Sequence, residues 1–177
     1  MSNYKKPQTI PTVIKFKDLP NLRKKFKNKK IVFCDGCFDL THAGHALFFE
    51  NCKKHGDILV VGVGSDQTVR KYKINRPILN EHLRLKMIAS LKPVNYCFIQ
   101  PPISFKNPDE LLEVTAMELK QLKPDVYVIN SDAFNIPRRK EILERYPKVT
   151  MRILKRTAPK KFDSISTTKI IEYIKKS

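Results

Sequence analysis

The chain is 177 residues long, 41% hydrophobic and 29% charged, with five glycines and twelve prolines, which fits one globular domain and excludes fibrous and low-complexity classes. Its longest apolar runs, such as 58–63, are far too short to cross a bilayer, and no apolar stretch follows the basic start, so a cytoplasmic protein is expected. The net charge of +18 admits nucleic acid, an anionic membrane or an anionic small substrate.

In chain order, residues 1–29 read as a basic lead-in segment, with an apolar patch at 10–16 and a short helix around 19–26. Residues 30–35 form an apolar, β-branched run stopped by Asp35-Gly36, the pattern of a strand buried on both faces. Helical spacing of Ala46, Leu47, Phe49 and Cys52 follows, Gly56-Asp57 breaks it, and 58–64 is a second buried strand. Strand, helix and strand in such a short span make a βαβ unit with parallel strands. The alternation continues with a helix at 80–90, a strand at 95–100, and a helix at 109–122 capped by Asn107 or Asp109. A strand at 126–129, a helix at 138–146, a strand at 149–154 and a helix at 166–175 complete it. The expected fold class is therefore α/β, a doubly wound parallel sheet in one domain over residues 30–177, with ligands beyond the carboxyl ends of the strands. Cys34 and Cys37 form a CxxC, but no second ligand pair accompanies them, so all four cysteines are read as reduced thiols and no protein-held metal is expected.

The informative segment is 34–45, where His42 and His45 fall three apart at the start of the first helix of the βαβ unit. A helix N-terminus offers unpaired N–H groups and the positive end of a dipole, Gly44 permits close approach, and two imidazoles can donate to phosphate oxygens. Surface or capping histidines and a metal pair are the competing readings.

With Gly36-Cys37-Phe38-Asp39 ahead of it, His42-Ala43-Gly44-His45 resembles the HxGH motif of the nucleotidylyltransferase superfamily. Lys155-Arg156-Thr157 followed by Ile165-Ser166-Thr167-Thr168-Lys169 is similar to the R-T-x-G-I-S-T block of the cytidylyltransferase branch. The resemblance covers 30–175 and extends to glycerol-3-phosphate, ethanolamine-phosphate, choline-phosphate and heptose-phosphate nucleotidylyltransferases. Two departures stand out: a seven-residue spacer, Ala158 to Ser164, where the family has a short one, and Ser164 in place of its glycine.

The resemblance implies a Rossmann-like fold and in-line attack by a substrate phosphate on the α-phosphorus of a nucleoside triphosphate, with pyrophosphate leaving and no covalent enzyme intermediate. On it, His42, His45, Lys73 and Arg156 are the expected catalytic residues. Cys37, Phe38, Gly44, Thr157, Ile165, Ser166, Thr167, Thr168 and Asp132, with Asn130 beside it, are expected to bind the nucleotide. Asp39, Lys71 and Arg84 are expected on the acceptor side, Asp39 alternatively ordering the loop and Arg84 alternatively making a core salt bridge. Mg2+ held mainly by the phosphates is the implied cofactor, a homodimer the implied assembly, and CTP with a phosphorylated polyol, sugar or amino alcohol the expected substrate pair. ATP with a heptose phosphate is the alternative, because Asp35-Gly-Cys-Phe-Asp also occurs in heptose-phosphate adenylyl- and cytidylyltransferases.

A different class, a nucleic-acid-binding protein, is suggested only by the charge; the lysines are spread along the chain without a recognisable nucleic-acid motif. No amphipathic helix of the membrane-surface kind is evident, so neither nucleic acid nor stable membrane insertion is expected.

Overall fold

A computed structural model describes residues 12–104, 106–155, 162 and 165–177. Six parallel strands form one sheet: β1 (Thr12–Val13), β2 (Ile31–Gly36), β3 (Ile58–Val63), β4 (Tyr96–Ile99), β5 (Val126–Asn130) and β6 (Thr150–Leu154), in the order β1-β4-β3-β2-β5-β6. Seven helices accompany them among the described residues: α1 (Leu19–Lys25), α2 (Ala43–Lys53), α3 (Asp66–Tyr72), α4 (Glu81–Ile88), α5 (Glu113–Leu122), α6 (Ile136–Glu144) and α7 (Thr167–Lys176).

The central strand explains the architecture. Val32 and Cys34 of β2 pack with Phe49 and Cys52 of α2 and Ile88 of α4, whereas Ile31 and Phe33 pack with Leu19 of α1, Leu119 of α5 and Ile142 of α6. Both faces of β2 are therefore apolar, and the strand reads as a continuous hydrophobic run, as parallel sheets require. The paired strands β2 and β5 are followed by α2 and α6, which lie on opposite faces. This is the switch point at which a doubly wound sheet opens a crevice beyond its strand ends.

The described part of the basic segment is built into this domain rather than preceding it, which corrects the boundary expected at residue 30. Thr12 and Val13 pair with Tyr96 and Cys97 as an edge strand, and Leu19 and Leu22 are buried against the α5 side. Arg23 donates from Nη1 to Asp125 at 2.8 Å, and the same Asp125 oxygen accepts the N–H of Ile31 at 2.7 Å, tying α1 to the start of β2. Lysines dominate the exposed face of α1, so its sequence looks like a solvated charge run although its apolar side is core. All four cysteines are free thiols and buried. Among the described residues no helix is long and apolar enough to cross a membrane.

Candidate active site

A cavity of about 320 Å3 opens at the switch point. Its walls include His42 and His45 from the start of α2 and Ser166, Thr167 and Thr168 from the start of α7. Two helix N-termini separated by most of the chain thus converge on one concavity, an arrangement suited to a polyphosphate.

The geometry of the histidines follows from capping. His42 has extended backbone and is the N-cap of α2; its Nδ1 accepts the N–H of Gly44 at 3.1 Å, and its own N–H donates to Nδ1 of His45 at 3.4 Å. This reciprocal box satisfies two N–H groups and fixes both rings. They stack with centroids 4.0 Å apart and planes 23° from parallel. An Nδ1 that accepts a hydrogen bond places the proton of a neutral imidazole on Nε2, and both rings belong to residues of the cavity wall. Phe38, in the left-handed region with φ of 51°, meets the ring of His45 edge-on at 5.5 Å and packs against Phe49 at 5.0 Å. Gly44 is required by close approach: a Cβ there would lie 2.9 Å from Cε1 and 3.0 Å from Nδ1 of His42, with the carbonyl oxygen of Ile165 at 3.6 Å.

At the start of α7, Ser166 is the N-cap and its Oγ accepts the N–H of Lys169 at 3.2 Å. Thr167 is buried and donates from Oγ1 to the carbonyl of Asp39 at 2.5 Å, which docks this helix onto the loop before α2. Thr168 is exposed on the cavity wall. Arg156 and Thr157 lie outside the described residues.

Asp39 is 1% exposed, and its carboxylate is occupied by Nε of Arg76 at 2.6 Å and the N–H groups of Ile78 and Leu79 at 2.9 and 3.0 Å. Burial pushes its pKa up, but the two backbone donors and the Arg76 guanidinium outweigh it, and the net shift is downward. Asp39 lines the cavity, and of its two expected roles the structure shows the second: its side chain orders the 76–79 loop, while its carbonyl holds α7. Arg84 requires a correction. It is fully buried and absent from the cavity wall, with Nη1 donating to Cys37 O at 2.6 Å, Nη2 to Gly64 O at 2.6 Å and Asp66 Oδ1 at 2.7 Å, and Nε to Leu79 O at 2.9 Å. Its donors are spent on clamping the loops around the site, not on substrate. The carbonyl of Cys37 faces this clamp, so any nucleotide contact by Cys37 is left to its other atoms.

Lys73 is expected among the catalytic residues and Lys71 on the acceptor side, and the end of α3 separates them. Lys71 lies on the exposed side of the helix, away from the cavity wall, whereas Lys73, just past the last helical residue, lines the cavity together with Arg76. Asn130 and Asp132, beyond β5, also line it.

Two wall residues carry no sequence signal strong enough to single them out: Asp35, at the carboxyl end of β2, and Arg139, on α6. Asp35 Oδ2 accepts from Thr115 Oγ1 at 2.9 Å, and Oδ1 accepts from Tyr127 OH at 2.8 Å and Arg139 Nη1 at 3.3 Å. Behind them sits Glu118, fully buried, one oxygen accepting from Gln100 Nε2 at 2.9 Å and the other without a hydrogen-bond partner among the described residues. The carboxyl lies across β3 where residue 62 is glycine; a Cβ there would approach Glu118 Oε1 to 2.7 Å. Burial, and then the nearby Asp35, push the Glu118 pKa well above the ordinary 4.5. Between pH 4.5 and that raised value the folded chain keeps a proton the unfolded chain has released, so stability falls as pH rises. Glu118→Gln, which keeps the acceptor for Gln100 without an ionisable group, should abolish this slope. We expect the variant to gain about 1–3 kcal/mol on wild type between pH 5 and pH 8, read as the difference in thermal unfolding at each pH. Identical slopes for the two proteins would refute a protonated Glu118.

A doubly wound parallel sheet whose switch point holds two stacked histidines and a hydroxyl-rich helix start has the architecture of the HxGH nucleotidyltransferase superfamily. The sequence profile of the family described as cytidylyltransferase-like matches residues 33–173, and the chain belongs to that family. It is 36% identical over 173 residues to the bifunctional protein HldE of Helicobacter pylori strain P12, covering 96% of this chain and 32% of that protein. The HldE of Aliarcobacter butzleri strain RM4018 is 38% identical over 120 residues, 66% of this chain and 23% of that protein. The chain thus spans a third or less of these relatives. Among solved structures, the lipopolysaccharide core biosynthesis protein from Thermoplasma volcanium GSS1 superposes with a TM-score of 0.55 at 28% identity, over 74% of this chain and 98% of that one. The pantoate-β-alanine ligase from Francisella tularensis reaches a TM-score of 0.61 over 93% of this chain and 77% of that one, at 16% identity, a likeness of fold.

Proposed function

We propose that the protein transfers AMP from ATP to the phosphate of a heptose phosphate or closely similar sugar phosphate, releasing pyrophosphate. The observation that supports nucleotidyl transfer is the meeting of His42, His45 and the Ser166–Thr168 hydroxyls in one cavity. For the sugar acceptor, the support is likeness: the relatives described above are HldE proteins and a lipopolysaccharide core biosynthesis protein. This reading sets ATP ahead of the CTP that the 156–169 motif suggests; CTP remains the second reading because of the family match.

A phosphate monoester is already anionic near neutral pH, so the protein need not supply a strong base. Its task is to bring two repelling anions into line and to neutralise the charge growing on the leaving pyrophosphate. In this reading the Nε2 donors of His42 and His45 contact the triphosphate, and Lys73 contacts the α-phosphate. The 167–168 N–H groups and the Thr168 hydroxyl hold the outer phosphates, and the expected roles of Arg156 and Thr157 fall there too. Among the described residues no cluster of three or more histidine, cysteine or acidic side chains could hold a metal. Magnesium is proposed to arrive on the triphosphate, where it would supply charge neutralisation. Asn130 and Asp132 are assigned to the nucleoside.

The test is pyrophosphate release, with the product mass determined, for ATP and CTP against heptose, glycerol and ethanolamine phosphates. ATP with the heptose phosphate is expected to exceed every other pair by about tenfold or more in kcat/KM. Faster reaction with CTP and a non-sugar phosphate would replace the proposed substrates; no release with any pair would remove nucleotidyl transfer itself.

A further inference from the structure

We infer that Arg139, held in place by Asp35, is the residue that selects the acceptor, receiving hydroxyl oxygens of a sugar phosphate and rejecting acceptors that carry a cationic amine. The inference rests on nucleotidyl transfer and deepens it by naming the acceptor side of the cavity.

Position comes first. The histidines stand on α2, which packs on one face of the sheet, whereas Arg139 stands on α6, which packs on the other. Both line the same cavity, as does Asp35 at the end of the central strand between them. With the polyphosphate drawn to the α2 and α7 starts, the Asp35–Arg139 side is left for the attacking molecule.

The Asp35–Arg139 pair is nearly saturated. The side chains are only 11% and 7% exposed for Arg139 and Asp35. Arg139 Nε donates to Phe134 O at 3.0 Å, and Nη1 donates to Asp35 and to the hydroxyl of Tyr127. A guanidinium carries five N–H donors in a rigid fork. Among the described residues Nη2 has no hydrogen-bond partner, and it is not sealed from solvent. An almost buried guanidinium, immobilised at three points with one nitrogen unspent, is a prepared donor for uncharged or anionic oxygen.

Charge makes it selective. Asp35 would be the natural anchor for an ammonium or trimethylammonium head, but its two oxygens already accept from Thr115, Tyr127 and Arg139. A cationic acceptor would meet the guanidinium instead of an unpaired carboxylate. Leu111 and Phe134, on the same wall, give an apolar surface for the carbon face of a sugar.

The experiment compares a sugar phosphate with ethanolamine phosphate, using the full chain and one nucleotide throughout. Arg139→Gln removes the unspent nitrogen and leaves Asp35 without its cation. The KM for the sugar phosphate should rise about 10- to 100-fold with kcat changed much less, and preference over ethanolamine phosphate should fall about tenfold or more. Nucleotide affinity, measured without acceptor, should stay within about twofold, which a merely structural disturbance of the site would not allow. Should Arg139→Gln fail to fold, Arg139→Lys keeps a charge beside Asp35 but lacks the fork, and the same rise in sugar-phosphate KM is expected. An unchanged acceptor preference in a folded variant, or equal losses of nucleotide and acceptor affinity, would overturn the assignment. Wild-type protein releasing no pyrophosphate with any acceptor would instead show that nucleotidyl transfer has failed, and the inference with it.

Discussion

Alanine at His42 or His45 is expected to lower kcat for pyrophosphate release by about 10²- to 10³-fold, the usual effect of deleting one oriented donor to developing charge. The two imidazoles are built as a unit: each Nδ1 is taken up as a capping acceptor and the rings stack at 4.0 Å, so the two side chains are held together on the cavity wall. Deleting both should therefore cost less than the product of the single losses, because either variant also releases the other ring. His42 is the N-cap of α2, and alanine there removes a cap worth about 1 kcal/mol. Loss of activity must be separated from loss of helix. His42→Asn provides the separation, since an amide oxygen can accept the Gly44 N–H while no donor reaches the place of Nε2. We expect His42→Asn to keep the wild-type melting temperature and to be nearly as slow as His42→Ala. Turnover within a few-fold of wild type in both alanine variants would exclude the histidines from the chemistry; recovery in His42→Asn would reduce His42 to a cap.

The sheet and the histidine pair are legible in sequence because both are local. A strand covered on two faces leaves an uninterrupted apolar run, as at 31–34 and 58–63, and the HxGH spacing is set by one turn of helix. Three features were less accessible. α3 escapes detection because it has seven residues and presents mainly Val69 to the core; its one signal is Ser65, whose hydroxyl caps the N–H of Thr68. The edge strand β1 has two residues, and its apolar surroundings alone did not distinguish strand from loop. Side-chain duties that depend on tertiary neighbours were harder still. Nothing near position 139 announces a partner 104 residues away at Asp35, and an arginine in a charged helix gives no sign that its neighbours Leu85 and Ile88 will carry it inward. Asp39 shows the same limit: the motif places it at the site, but only folding reveals that its carboxylate belongs to the 76–79 loop. The choice between CTP and ATP was less legible again, since the 156–169 motif resembles the cytidylyltransferase branch whereas Asp35-Gly-Cys-Phe-Asp is shared by adenylyl- and cytidylyltransferases of heptose phosphates.

Arg84→Met should destabilise the protein by about 3–5 kcal/mol, the range found when one member of a buried charged network is removed. Most of that loss falls on carbonyl groups. Nη1 and Nη2 serve Cys37 O and Gly64 O in buried bonds of 2.6 Å, and each acceptor left dry costs about 1–3 kcal/mol. Asp66 contributes less, because its side chain is 16% exposed and also faces Arg70 at 3.7 Å, so water and a second cation compensate it. For a chain of this size the change corresponds to a fall in Tm on the order of 10 °C. Arg84→Lys should recover only a minor part. The four acceptors come from the loops after β2, β3 and α3 and, for Asp66, from the first residue of α3, and a single ammonium nitrogen cannot occupy the positions of Nε, Nη1 and Nη2 together. The same loops carry Phe38, Asp39 and the Asp39-bound 76–79 turn, so a chain that stays folded without the clamp should lose nucleotide affinity as well as stability. Urea unfolding of the three proteins, with nucleotide titrated into each below its transition, separates the two effects. A Met variant whose unfolding free energy stays within about 0.5 kcal/mol of wild type would show that Arg84 is dispensable to the architecture.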